Sequence, residues 1–432
     1  MRSKVVFAVL FAMLVVGAVF ISCAPQTEKV EPPTSQPAVD STALKQQINM
    51  YLSLGWENYK NKQYDRAIEH FKKVLELDPK NEKAYKFLTD AYLRHPDSTY
   101  IDTALNLFEQ AIKKFPDNSY FYSGRGYIYQ KLGDKFDKMS ETTEDSAKIG
   151  VYEGKADSLE ELARKDFVKA YSLDDKDAAS SGALGTIWLR RGKLDSAMVW
   201  FEKSVAADSN RVQIWKILAK LYVARSNYDK AATAYSHLTR LVPDEPEYQL
   251  KLGQYLAKSG KFDEAAKMLQ KYIDANPDDY RGYQYMGLAL AADGKFNDAL
   301  PQLKKAEKLN PKSVKLMCDI ASTYNDMKRY NSAKTYIAKA KALDRSFGYI
   351  YIVEGDIYEK QAMDKVPKSG EINMEIKCQF LAATKIYRKA LRDPDWSGFA
   401  RSKIEYLKPY IPTKEEIAAY KFIEHKKCGE IE

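Results

Sequence analysis

The stretch MGLALAADGKFNDAL, residues 286–300, carries Gly287 and then Gly294-Lys295, the residue types that cradle a phosphate. A phosphate-binding loop needs four residues between its first glycine and the Gly-Lys pair, then a Ser or Thr whose hydroxyl reaches magnesium. Here six residues intervene and Phe296 follows, so that chemistry is not expected. The other groups that commonly carry chemistry are dispersed: His70, His95, His237 and His425, with Cys23, Cys318, Cys378 and Cys428. No Cys-x-x-Cys, His-Glu-x-x-His or Gly-x-Ser-x-Gly occurs, so neither a zinc centre nor a disulfide framework nor a nucleophile elbow is expected. The charged stretch 134–157 holds carboxylates without His or Cys. The sequence therefore points to no catalytic residue, no metal and no cofactor.

The chain has 432 residues, 31 of them Tyr, and 29% of its residues are charged, a profile that suits a helical soluble body. The formal net charge of +9 is spread thinly rather than gathered in blocks, so a nucleic-acid partner is not expected.

The beginning of the chain has a different character. Arg2 and Lys4 precede an apolar run from Val5 to Ile21, and Pro-rich polar sequence follows Cys23. That is the layout of an export signal. Ser22 directly before Cys23 resembles the bacterial lipobox, in which the cysteine receives a diacylglycerol. The resemblance implies a signal peptide over 1–22, lipidation at Cys23, and a flexible Pro/Ser/Thr-rich tether over 23–44 with a reach of about 25 Å. Several acyl chains give lasting membrane residence, since each buried methylene contributes about 0.8 kcal/mol. The alternative is an uncleaved transmembrane anchor, the seventeen apolar residues lying near the lower limit for a spanning helix.

The glycines of the opening stretch recur. Leu184-Gly185 is followed by Gly192-Lys193 and Ala197, Leu252-Gly253 by Gly260-Lys261 and Ala265, and Met286-Gly287 by Gly294-Lys295 and Ala299. Gly253 and Gly287 stand 34 residues apart, and Gly185 stands two such steps before Gly253. Within each period, Trp215, Leu218, Ala219 and Tyr222 fall at i, i+3, i+4 and i+7, one face of a helix. Ala231 and Tyr235 begin the matching face of a second helix, and Pro243 ends it.

This pattern resembles the tetratricopeptide repeat. The resemblance implies an all-α fold, a right-handed superhelical α-solenoid of about nine helix-turn-helix repeats over 45–394, interrupted near 94–100, 134–157 and 362–378. Residues 395–432 depart from the repeat and are expected to form capping helices, the second N-capped by Thr413 with Glu416 three residues on.

In such repeats the first helices line a concave groove. The groove positions here are Trp56, Tyr120 and Tyr127 toward the N-terminus, then Lys216, Lys220, Gln254, Arg281 and Gln284, then Lys315, Asn325 and Tyr349. The terminal-carboxylate clamp of chaperone-binding members is not matched, because Lys220 and Lys251 stand where that clamp needs Asn. The expectation is a non-catalytic scaffold, tethered to a membrane of the bacterial cell envelope, that binds protein or peptide partners in its groove. The alternatives are a glycan or cell-wall binding module using the groove aromatics, and a docking subunit of an envelope enzyme.

Overall fold

The computed structural model describes residues 41–97, 99–424 and 428. The expected signal peptide, Cys23 and most of the tether lie outside the described residues. The chain divides into two compact units after Asp97. The first holds α1 (Ser41–Lys60), α2 (Tyr64–Leu77) and α3 (Glu82–Arg94). Helix α1 starts at Ser41, inside the segment expected as tether.

The second unit opens with α4 (Tyr100–Lys114), α5 (Ser119–Thr142), α6 (Ser146–Leu173), α7 (Ala178–Arg190) and α8 (Leu194–Ala207). It continues with α9 (Val212–Ala224), α10 (Tyr228–Leu241), α11 (Pro246–Lys258), α12 (Phe262–Ala275), α13 (Tyr280–Ala292) and α14 (Phe296–Leu309). Then come α15 (Val314–Asp326), α16 (Tyr330–Leu343), α17 (Tyr349–Met363), α18 (Met374–Ala390), α19 (Pro394–Leu407) and, after a 3₁₀ turn, α20 (Lys414–Glu424). The described residues contain no strand, and no helix among them is long and apolar enough to cross a membrane. Within the first unit α1 packs on α2 and α2 on α3; within the second, each helix from α4 to α18 packs on the next, and α11, α13, α15 and α17 also touch one another in series.

The pairing follows from residue size. A Cβ added at Gly185 would sit 2.5 Å from the Phe201 ring, one at Gly253 2.5 Å from Leu269, and one at Gly287 2.6 Å from Leu303. Only glycine lets those backbones approach, and Ala197, Ala265 and Ala299 face them from the second helices, fully buried. The large side chains Phe201, Leu269 and Leu303 are then completely enclosed, each contributing about 2 kcal/mol by burial.

Gly294-Lys295 is a helix stop. Gly294 has φ +76°, its N–H donates to Ala291 O and the Lys295 N–H donates to Leu290 O at 2.9 Å, the two bonds of a Schellman cap. At the same place in neighbouring repeats Ser226 and Lys328 take this left-handed conformation without being glycine.

One interruption and the C-terminal end take unexpected form. The charged stretch 134–157 prolongs the helices rather than forming a loop, so only residues 143–145 connect α5 to α6. At 24 and 28 residues these helices exceed their 13- and 14-residue neighbours by roughly 15 Å or more at 1.5 Å per residue. Arg190 on α7 reaches Asp134 at 2.8 Å and Arg191 reaches Glu160 at 2.8 Å, bracing the base of this long hairpin. Near the C-terminus, Cys378 on α18 is disulfide-bonded to Cys428. This corrects the expectation of no disulfide. The two cysteines stand 50 residues apart in sequence, but α20 folds back on α18, where Lys377 meets Glu416 at 2.6 Å, and the Cα atoms come within 4.9 Å. The expected cap of α20 is present: Glu416 N–H donates to Thr413 Oγ1, and Thr413 N–H to Glu416 Oε2.

Candidate partner-binding face

The first helices of the second unit carry most of the residues singled out from the sequence. On α9, Lys216 Nζ lies 5.7 Å from the ring centre of Tyr248 on α11, and Lys220 stands exposed one turn further on. Neither lysine forms an ion pair among the described residues. On α11 the Gln254 side-chain oxygen is buried without a hydrogen-bond partner.

On α13 the cation is committed. Arg281 donates to Asp279 at 2.8 Å and to Glu247 of α11 at 2.7 Å. The hydrogen bonds to Asp279 lead the effects that raise the Arg281 pKa above its ordinary value. Burial works against the Asp279 carboxylate, yet Arg281 and the Tyr272 hydroxyl, 2.6 Å away, hold its pKa below the usual range. Burial, with the hydrogen bond to Asp279, pushes Tyr272 up to about 12.

The next helices share one buried acid. Asp319 on α15, 2% exposed, accepts from Gln284 Nε2 at 2.6 Å, Lys315 Nζ at 2.9 Å and Tyr349 OH at 3.2 Å. Three of the residues read from the sequence thus meet at a fourth that was not. Its signal was an acid inside the run from Leu316 to Ala321, every member of which is buried. A carboxylate taken from water needs such partners, because a buried acceptor left unpaired costs about 1–3 kcal/mol or more. Asn325, also on α15, is buried with its side-chain oxygen unpartnered.

Tyr349 on α17 is engaged within the chain. Its ring stacks on Trp396 of α19 at 4.4 Å, and burial together with Asp319 keeps its hydroxyl well above the ordinary tyrosine range. Lys403 of α19 meets Asp356 at 2.8 Å and Glu359 at 3.1 Å. Helix α19 therefore covers this end of the first-helix face, and the free cationic surface lies toward α9.

The three aromatics lie on α1 and α5. Trp56 belongs to the first unit, 41% exposed, with Tyr59 at 5.3 Å and Phe87 at 5.0 Å. Tyr120 is half-buried, edge-on to Phe121 at 5.4 Å, while Tyr127 is exposed under Lys131 at 5.0 Å. Among the described residues no group of three His, Cys, Asp or Glu is arranged to hold a metal ion.

Three segments match models of the tetratricopeptide repeat: residues 48–81, 218–280 and 314–347. Among curated proteins, the CTR9 homolog of Arabidopsis thaliana is 25% identical over 228 residues, covering 48% of this chain and 20% of that protein. A TPR repeat-containing protein of Methanocaldococcus jannaschii is 26% identical over 181 residues, covering 42% of this chain and 27% of that protein. The match thus spans 20% and 27% of the length of these two curated relatives. A solved tetratricopeptide repeat protein from Parabacteroides merdae is similar with a TM-score of 0.44, at 17% identity over 64% of this chain and 99% of that one.

Proposed function

We propose that this chain of tetratricopeptide repeats is a non-catalytic scaffold that holds a peptide segment of a protein partner on the first-helix face of its second unit. The observation that carries this reading is the charge accounting along α9 to α15. Arg281 and Lys315 are spent on Glu247, Asp279 and Asp319, which fixes the shape of the face. Lys216, over the Tyr248 ring, and the exposed Lys220 remain without an ion pair among the described residues. A partner that presents acidic residues to α9 would pair with both lysines.

In the same reading the body is tethered to a membrane of the bacterial cell envelope through a lipid on Cys23. The order of basic, apolar and Ser-Cys residues supports this, as does the Cys378–Cys428 disulfide, a bond that persists in oxidising compartments.

The test is site-directed photocrosslinking of the full-length protein in membranes, with the probe at Lys220 or, on a second helix, at Lys308. Partner adducts are expected from the Lys220 probe and are lost in Lys216→Glu. Adducts confined to the Lys308 probe would remove the first-helix assignment. For the tether, mass spectrometry of the N-terminus and fractionation of Cys23→Ser are decisive: an unacylated wild type that fractionates like the variant ends the lipoprotein reading.

A further inference from the structure

A cleft of about 430 Å³ opens on the opposite side of the repeats, between the second helices α10 and α12. Its position follows from the 34-residue register. One position of the second helix reads Lys203, His237, Lys271, Lys305 and Lys339 in consecutive repeats, and another reads Met198, Ala232, Ala266, Leu300 and Lys334. Three lysines of the first series lie over aromatic rings, Lys203 4.2 Å from Trp200, Lys305 5.8 Å from Tyr283 and Lys339 4.3 Å from Tyr336. His237 instead lies flat on Trp215, centroids 4.1 Å apart and planes within 7°. Where α10 has both the short Ala232 and the flat His237, the cleft reaches down to Leu252 and Leu256 of α11, themselves nearly buried, which with Met268 form an apolar lining.

The polar lining is cationic. Lys261, Lys267 and Lys271 stand against Glu264, and Lys261 is paired with Asp229 at 3.0 Å. Lys267 and Lys271 have no ion pair among the described residues, so the cleft keeps a net charge of about one positive unit. Ser236 adds a hydroxyl, and His237 adds a donor. Arg240 Nη2 lies 3.2 Å from His237 Nδ1, and because a guanidinium can only donate, Nδ1 accepts and the ring proton sits on Nε2. Burial, then the Arg240 charge, lowers the His237 pKa, which keeps the ring neutral at pH 7.

From this lining we infer that the cleft binds a small amphipathic monoanion, its acyl body against Ala232, Leu252, Leu256 and Met268 and its carboxylate on Lys267 and Lys271. The cleft opens between the second helices, with α11 as its floor.

Calorimetric titration of the full-length protein with decanoate, and with decanol as the uncharged counterpart, tests it. Decanoate is expected to saturate a single site, and decanol to bind at least about tenfold more weakly, a difference of about 1.4 kcal/mol. Lys267→Gln combined with Lys271→Gln, both on the surface, should weaken decanoate about tenfold or more with an unchanged melting curve. Ala232→Met, which restores the side chain found at Met198, should abolish binding. Absence of saturation, equal binding of decanol, or a lysine double variant within about twofold of wild type would each overturn the assignment.

Discussion

At the scale of single residues, glycines of identical appearance in the sequence do opposite things, and space decides which. Gly287 is pressed against Leu303 and the Ala299 carbonyl, whereas Gly154 on α6 has nothing within 4 Å of an added Cβ. Gly287→Ala must therefore displace Leu303 and the helix pair by close to an ångström and is expected to lose about 1–3 kcal/mol. Gly154→Ala adds helix propensity at no steric cost and should gain up to about 1 kcal/mol. Urea unfolding of the two variants, followed by circular dichroism, checks both; a neutral Gly287→Ala would mean the helix seam is looser than its distances indicate. The first glycine was legible as a contact because it recurred at 34 residues with a large residue opposite. Asp319 was not, because its role depends on Gln284, Lys315 and Tyr349 arriving from three helices.

At the scale of elements, the long hairpin of α5 and α6 is the clearest departure from the period. Residues 134–157 fall between the two halves of a repeat and break its 34-residue register, so their charge suggested an insertion. They are helical because each arm continues an established helix, which removes the cost of nucleation. The arms are held by carboxylate–guanidinium contacts, and Glu161 shows their strength. Its hydrogen bond to Arg164 at 2.7 Å leads the effects that, against some burial, pull its pKa down to about 2, with Arg191 adding to them. A depressed folded-state value means that the pairing stabilises the hairpin fully above the unfolded glutamate range, near pH 4.3, and that this is lost as pH falls toward 2. Carbon-13 NMR titration should give a Glu161 midpoint near 2 that rises toward the ordinary value in Arg164→Gln and Arg191→Gln. A wild-type midpoint already at the ordinary value would show the contacts to be transient at this exposed site.

At the scale of the molecule, the repeats determine a series of near-neighbour contacts, and the ends need separate arrangements. Periodicity made the stacked pairs readable, since each pair buries only what the next one covers. It said nothing of the closure between Cys378 and Cys428, a pairing brought about by α20 turning back across α18. Closing a loop of 50 residues restricts the unfolded chain by about 4 kcal/mol in the chain-entropy model. Cys378→Ser should accordingly raise amide exchange through α18, α19 and α20 while leaving α9 to α12 protected; unchanged exchange at the C-terminal end would show that Lys377–Glu416 and the helix cap suffice there. The same covalent closure sets how the chain answers a pull. Tension applied at the C-terminus passes from Cys428 directly to Cys378, so about 170 Å of contour, at roughly 3.4 Å for each of 50 residues, carries no load. Under mechanical stress the last three helices are shielded, and yielding begins in the repeats that precede them.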